Sequence, residues 1–250
     1  MKFMSAKDKI NISYASVSET GSREVNEDCI SITKADENFC FIVCDGLGGH
    51  GKGEVASELV TKEISRCFEE NGKEADFFDM AFQKAQEKLL EEQVAQSSPS
   101  QMKTTAVALR IIDGVASWCH IGDSRLYFFR KSKLKSRTID HSVVQLLALS
   151  KEIKEKEIRF HPDRNMLLKV MGTEWTGDSY VISEKAELKK GDAFLLCSDG
   201  FWEFIEEKKM AVCLKKSENA QEWLEKMVKE VELNGDGKET DNYSAIAVTV

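Results

Sequence analysis

The chain has 250 residues and carries 35 Lys and Arg residues against 43 Asp and Glu residues, which gives a formal net charge of −8. This length can bury a core without a disulfide or metal staple, and the acidic balance argues against binding to nucleic acid or to an anionic membrane. No stretch approaches the roughly 18 apolar residues of a membrane span, and the N-terminus lacks the apolar core of a secretory signal.

Two prolines and no low-complexity linker predict one domain over residues 1–250. The seven irregularly spaced cysteines are typical of reduced thiols in a cytoplasmic protein.

The pattern of apolar residues predicts a chain of strands interrupted by helices. Strands are predicted at 10–18, 29–33, 39–44, 104–112, 115–121, 125–130, 180–183, 193–197 and 244–250. Helices are predicted at 54–68, 75–94, 141–169 and 220–231. The pair Asp113-Gly114 between two strands is typical of a two-residue hairpin. Strands that are linked by hairpins predict antiparallel sheets with helices packed outside. No phosphate-binding glycine motif follows a strand, which argues against a Rossmann repeat.

Acidic residues stand at the ends of four predicted strands. Each Asp-Gly pair taken alone is more typical of a turn. Four such sites in one domain are informative, because carboxylates that converge repel one another unless a cation neutralises them. Oxygen ligands without His or Cys suit Mg²⁺ or Mn²⁺, which indicates a metal-dependent enzyme acting on phosphate. The sites are Asn26-Glu27-Asp28, Asp45-Gly46, Asp199-Gly200 and Asp241-Asn242.

These acids belong to eight short motifs that run in order through nearly the whole chain. The motifs begin at Arg23, Asp45, Thr104, Ile121, Thr138, His161, Ser198 and Asp241. Each motif is weak alone, but together they resemble the PPM (PP2C-type) family of metal-dependent protein serine/threonine phosphatases, in its compact bacterial form. The resemblance implies an α+β fold, a four-layer αββα sandwich of two antiparallel β-sheets flanked by helices. It also implies a flap-like segment at about residues 143–169.

The resemblance implies a metal centre at one end of this sandwich. Two Mn²⁺ or Mg²⁺ ions per chain would share Asp45, with the carbonyl of Gly46 on one ion and Asp199 and Asp241 on the other. Asp123 matches a position that, with the Asp199 site, holds a weaker third ion in bacterial relatives. The ions would activate a water molecule for in-line attack on phosphorus, so no nucleophilic side chain is required.

The residues around the metal centre have implied roles as well. Glu27 and Asp28 would act through water molecules that the ions hold. Arg23 matches the arginine that grips the substrate phosphate, for which a planar guanidinium suits bidentate contact. The resemblance therefore makes Arg23, Asp45 and Asp199 the catalytic residues.

The sequence gives two candidates for the general acid that protonates the leaving group. Leu47 stands where eukaryotic relatives have the histidine proposed for this role. His50, three residues further along the same glycine-rich turn, and a metal-bound water are the two candidates. His120 and His141 are interpreted as structural.

Two other functions are weighed against this one. Cys119 and Arg125 have the C-x5-R spacing of cysteine-dependent phosphatases, but a strand pattern follows Arg125, so no helix N-terminus is available to lower the pKa of the thiol. A pseudophosphatase, a binding module on the same fold, is the other alternative, although every expected metal carboxylate is present. We therefore predict a monomeric, cytoplasmic enzyme that hydrolyses phosphoserine and phosphothreonine on proteins, opposed by a serine/threonine kinase. No nucleic-acid or membrane partner is expected.

Overall fold

A computed structural model describes residues 11–48, 52–98, 101–175 and 177–250. In these ranges the strands are β1 (Ser13–Glu19), β2 (Asp28–Ala35), β3 (Asn38–Asp45), β4 (Ala106–Ile112), β5 (Val115–Ile121), β6 (Arg125–Arg130), β7 (Lys133–Arg137), β8 (Val181–Ile182), β9 (Ala186–Glu187), β10 (Asp192–Cys197) and β11 (Tyr243–Thr249). The helices are α1 (Gly53–Asn71), α2 (Phe77–Ala95), α3 (Val143–Leu149), α4 (Asp199–Trp202), α5 (Glu207–Lys215) and α6 (Ala220–Gly235), and a 3-10 helix spans Glu155–Phe160.

The strands form two antiparallel sheets. One sheet has the order β1-β11-β10-β6-β7, and the other has the order β2-β3-β4-β5-β8, with β9 also paired to β5. The hairpin predicted between β4 and β5 is confirmed. Asp113 and Gly114 both have positive φ angles, 50° and 77°, as a turn that matches the twist of the flanking strands requires.

Three hydrophobic cores separate four layers. Phe41 of β3 and Phe194 of β10 belong to the core between the two sheets. The next residue along β3, Ile42, faces the opposite way into the core shared with α1 and α2, and Leu195 of β10 likewise faces Trp223 of α6. Both faces of each central strand are therefore buried, which explains their continuously apolar sequences. The predicted four-layer αββα sandwich is confirmed.

The segment 141–169 is less helical than the sequence predicts. It contains α3 and the short 3-10 helix, and the remaining residues are irregular. Ser142 caps α3 by accepting a hydrogen bond from the Gln145 backbone N–H at 3.2 Å, and an isolated bridge pairs Ser142 with Leu167. The prediction of an α-helix is wrong beyond Leu149. The Lys- and Glu-rich run buries only one apolar side chain of its 3-10 helix, Ile158, which is too little to support a longer helix.

Several short elements were not expected from the sequence. The edge strand β7 is almost entirely exposed, and α5 buries only Met210 and Cys213, so neither has a strong apolar pattern. Helix α4 is a single turn that begins directly after β10. Across the described ranges, no helix combines the length and the apolar content needed to cross a lipid bilayer.

Candidate active site

The six-stranded sheet brings two acidic residues to one edge. Asp28 begins β2, Asp45 ends β3, and the two are direct partners in the register of the strands. The backbone N–H of Asp45 donates to the Thr105 hydroxyl at 3.0 Å. Its carbonyl oxygen accepts from the Thr104 hydroxyl and from the Thr105 N–H, each at 2.8 Å. The threonine pair that precedes β4 therefore holds the backbone from which the Asp45 carboxylate projects.

The turn after Asp45 requires glycine. A Cβ atom on Gly46 would lie 2.3 Å from the carbonyl oxygen of Gly53 and 2.6 Å from that of Glu27. The Gly46 N–H donates to the Glu27 carbonyl at 3.1 Å, so the turn packs closely against the segment before β2. Leu47 follows at the position that lacks the eukaryotic histidine, and the candidate general acid His50 lies outside the described residues.

The five-stranded sheet contributes two further acids at the same end of the sandwich. Asp199 begins α4 just after β10, and Asp241 lies two residues before β11, the antiparallel neighbour of β10. The hydroxyl of Ser198 donates to Asp28 Oδ2 at 2.7 Å. This hydrogen bond joins the two sheets directly at the acidic end.

The acids from both sheets influence one another electrostatically. Burial is the largest cause that raises the pKa of Asp45 well above its usual range, and four neighbouring carboxylates raise it further. Burial is also the largest cause that raises the pKa of Asp199, and the charge of Asp123 is the next largest. Burial raises the pKa of Asp28 to about 6. The structure thus brings together acids that are far apart in the sequence. The four neighbours of Asp45 are Asp199, Asp28, Asp123 and Asp241.

Asp123, the candidate ligand of the third ion, has an acidic neighbour, Glu203, that the sequence did not indicate. Burial, followed by the charge of Asp140, raises the pKa of Asp123 to about 7. Glu203 adds repulsion to both Asp123 and Asp199, and Arg164 forms an ion pair with Glu203. The spacing of four residues between Asp199 and Glu203 places both on one side of a helical turn, but that signal depends on recognising α4.

Arg23, the residue predicted to bind phosphate, lies at the exposed side of the acidic cluster. Arg23 Nη2 donates to Asp241 Oδ2 at 2.8 Å, and the Arg23 side chain is 60% exposed. Burial and the charges of Glu54 and Asp241 raise the pKa of Glu27, while Arg23 lowers it. Arg23 and Glu27 therefore lie beside the cluster.

The donor atoms suit a hard divalent cation. Asp28 Oδ1 is a buried carboxylate oxygen with no hydrogen-bond partner among the described residues. Excess negative charge and oxygen-only donors favour Mg²⁺ or Mn²⁺. In the described ranges, no three His, Cys, Asp or Glu side chains are grouped so that they could hold an ion by themselves.

The cysteine-based alternative receives no support from the geometry. Cys119 is completely buried, and burial raises the pKa of its thiol well above the usual range. Arg125 begins a strand, its Nε and Nη2 donate to the carboxylate of Asp140, and its Nη1 donates to the Tyr127 hydroxyl. The pair therefore has neither a reactive thiolate nor a free guanidinium for phosphate.

Comparison with known proteins gives consistent similarities. The family model described as Protein phosphatase 2C matches residues 17–236. The "Serine/threonine phosphatase stp" of Listeria monocytogenes serotype 4b is 31% identical over 207 residues, which cover 80% of this chain and 81% of the relative. The crystal structure of Stp1 from Staphylococcus aureus has a TM-score of 0.85 and 25% identity, and the match covers 100% of this chain and 99% of that one. The catalytic domain of a serine/threonine protein phosphatase PstP has been solved in complex with two manganese ions. It has a TM-score of 0.80 and 25% identity, and the match covers 95% of this chain and 97% of that chain.

Proposed function

Because this chain belongs to the protein phosphatase 2C family and is a serine/threonine protein phosphatase, we propose that its carboxylate cluster is the metal-dependent active site. The observation that carries the proposal is the junction of the two sheets at their acidic ends. Asp28 and Asp45 are direct partners in the strand register, and Ser198, the neighbour of Asp199, donates to Asp28 at 2.7 Å. Oxygen donors with this excess charge bind divalent cations. The family is metal-dependent, and the two manganese ions of the PstP structure support two Mn²⁺ or Mg²⁺ ions here.

We propose the metal ligands from the match of this chain to the motifs of the family. Asp45 would contribute to both ions, Gly46 would offer its backbone carbonyl to one of them, and Asp199 and Asp241 would hold the other. Asp123, together with Asp199, would hold a weaker third ion. When bound, such ions act as Lewis acids and supply an activated water for attack on phosphorus.

The side chains around the ligands position the substrate and water. Arg23 would exchange its exposed contact with Asp241 for the phosphoryl oxygens, to which a guanidinium can donate two parallel hydrogen bonds. Those hydrogen bonds would stabilise the charge on the transferring phosphoryl group in the transition state. Glu27 and Asp28 would accept hydrogen bonds from water molecules at the centre and so orient them.

The substrates are phosphoproteins, as expected for a serine/threonine phosphatase. We further propose that a serine/threonine kinase phosphorylates the same proteins, and that this chain acts as a cytoplasmic monomer. All seven cysteines are free thiols, and six of them are buried, which is in keeping with a reducing compartment.

The test is hydrolysis of a phosphothreonine peptide after removal and return of divalent ions. EDTA should abolish phosphate release, and added Mn²⁺ should restore it. Titration calorimetry should show Mn²⁺ binding that Asp45→Asn weakens. Hydrolysis that persists in EDTA would contradict the metal assignment, and a chain that binds Mn²⁺ but hydrolyses neither the peptide nor p-nitrophenyl phosphate would be a pseudophosphatase.

A further inference from the structure

Asn242 connects the acidic end of the five-stranded sheet with the loop that carries Arg23. Its side chain is buried, and it makes three hydrogen bonds to the backbone of that loop. Oδ1 accepts from the Glu27 N–H at 2.9 Å. Nδ2 donates to the carbonyl oxygens of Thr20 at 2.8 Å and Val25 at 2.9 Å. Both amide donor hydrogens are therefore used, and the two anchor carbonyls lie on either side of Arg23 in the sequence.

The other contacts lie mainly at the end of the loop nearest β2. The Glu27 carbonyl accepts from the Gly46 N–H at 3.1 Å and from the Ser57 hydroxyl at 2.6 Å, and Asn26 donates to the Ser18 hydroxyl at 2.9 Å. No residue between positions 20 and 27 is buried, and 21–25 are all exposed, so apolar packing contributes little to its conformation. Ser22 exchanges hydrogen bonds with Thr240 at 3.1 Å, but both groups face solvent. The ion pair between Arg23 and Asp241 is exposed as well, and exposed pairs contribute little to stability. Ordering a loop costs conformational entropy, and the buried amide of Asn242 offsets it by holding the backbone on both sides of Arg23.

We propose that Asn242 is a positioning residue, which holds the 20–27 loop in the conformation where Arg23 can grip the substrate phosphate. The inference rests on the proposed function, in which Arg23 binds that phosphate. Asn242 touches neither the phosphate nor the water in this scheme. It acts by fixing the backbone on both sides of Arg23, so that the guanidinium is aimed before the substrate arrives.

Two substitutions and a matched control separate this role from general stability. Asn242→Ala removes all three hydrogen bonds, whereas Asn242→Asp keeps an acceptor for the Glu27 N–H and loses both donors. Asn38 is the control, because it is also a buried asparagine whose Oδ1 accepts a backbone N–H, from Asp113 at 2.9 Å. It lies at the opposite end of β3 from Asp45, so Asn38→Ala perturbs folding without touching the site.

The experiment is a double-mutant cycle between Asn242 and Arg23. KM for p-nitrophenyl phosphate, kcat, and the inhibition constant of inorganic phosphate are measured with saturating Mn²⁺ in the four proteins: wild type, Asn242→Ala, Arg23→Ala and the double variant. We expect Asn242→Ala to raise KM and the inhibition constant about tenfold, because a misplaced Arg23 would lose about one charge-assisted hydrogen bond to the phosphate. In the Arg23→Ala background the same substitution should change both by less than about twofold. Asn38→Ala should leave both constants unchanged.

Each other outcome decides a specific point. An equal rise in both backgrounds means that Asn242 acts independently of Arg23, which overturns the inference and leaves the proposed function intact. If Arg23→Ala alone changes neither constant, the phosphate-binding role in the proposed function is wrong. If Asn242→Ala does not fold, the cycle is run with Asn242→Asp, with the same expected pattern.

A second readout does not depend on catalysis. In hydrogen exchange of the metal-free chain, peptides that cover 20–27 should exchange faster in Asn242→Ala than in wild type, while β3 stays protected. Unchanged exchange of the loop would show that other contacts order it, and would overturn the inference.

Discussion

Removal of the partner of buried Arg125 should destabilise the fold strongly. Arg125 Nε and Nη2 donate to Asp140 Oδ1 and Oδ2 at 2.9 and 2.6 Å, and the two side chains are 3% and 1% exposed. The guanidinium also lies 3.5 Å from the ring centre of Trp202 and donates to the Tyr127 hydroxyl at 3.0 Å. The substitution Asp140→Ala therefore leaves an enclosed cation without its hydrogen-bonded carboxylate, and the remaining acidic partner is Glu207, 3.9 Å from Arg125 Nη1.

The magnitude follows from this burial. Breaking a buried ion pair on one side costs about 3–5 kcal/mol, because the remaining charge cannot regain water. For a chain of this size, 1 kcal/mol corresponds to roughly 2–4 °C in Tm, so Asp140→Ala should lower Tm by about 6–20 °C. Arg137, whose Nη1 lies 3.4 Å from Asp140 Oδ1, loses a contact in the same variant. This lost contact adds to the destabilisation, whereas the remaining charge of Glu207 near Arg125 reduces it, so a loss within this range is expected.

Urea unfolding followed by circular dichroism measures the loss. The control is Glu91→Gln, which breaks an ion pair with Lys88 whose side chains are 58% and 69% exposed, and which should cost less than about 0.5 kcal/mol. The double variant Arg125→Met with Asp140→Leu should recover most of the stability, because no unpaired charge remains. A loss below about 1 kcal/mol for Asp140→Ala, with an unchanged m-value, would refute the reasoning.

Three further outcomes are expected. Asp45→Asn should remove nearly all Mn²⁺-dependent turnover while the metal-free variant melts no lower than wild type, because the amide takes a repelling charge out of the cluster; near-normal turnover would contradict the site. Iodoacetamide should leave phosphatase activity unchanged under native conditions, since Cys119 is buried and its thiol pKa is raised; rapid inactivation that follows its alkylation would contradict this. Burial, with smaller effects of His120 and Lys169, lowers the pKa of His141 from 6.5 to about 4. On acidification the unfolded state binds the His141 proton before the folded state does. Between pH 6.5 and 4 the free energy of unfolding should therefore fall by up to about 3 kcal/mol more in wild type than in His141→Asn. An equal pH dependence of the free energy of unfolding in the two proteins would contradict this prediction.

The sequence predicted the large elements because their apolar patterns are local. Strands β3 and β10 are continuously apolar over the residues that the structure buries on both faces, and Asp113-Gly114 specifies its hairpin within two residues. The pattern was misleading where burial is slight. The charged segment 151–157 alternates like a solvated helix, yet only short helical pieces form around it, because helix propensity without a buried face is marginal.

The residue types and the order of the acids were readable from the sequence alone, as was the resemblance that relates them to a phosphatase. Their meeting at one end of the sandwich was decided by the tertiary structure. Ser198 and Asp28 are 170 positions apart when they join the sheets, and Asn242 reaches Glu27 across 215 positions. Local periodicity reports which face of an element is buried, but it carries no information about which distant strand end lies opposite. That pairing depends on closing long loops and packing two sheets, and it is what converts separate Asp-containing turns into one site with a shared electrostatic field.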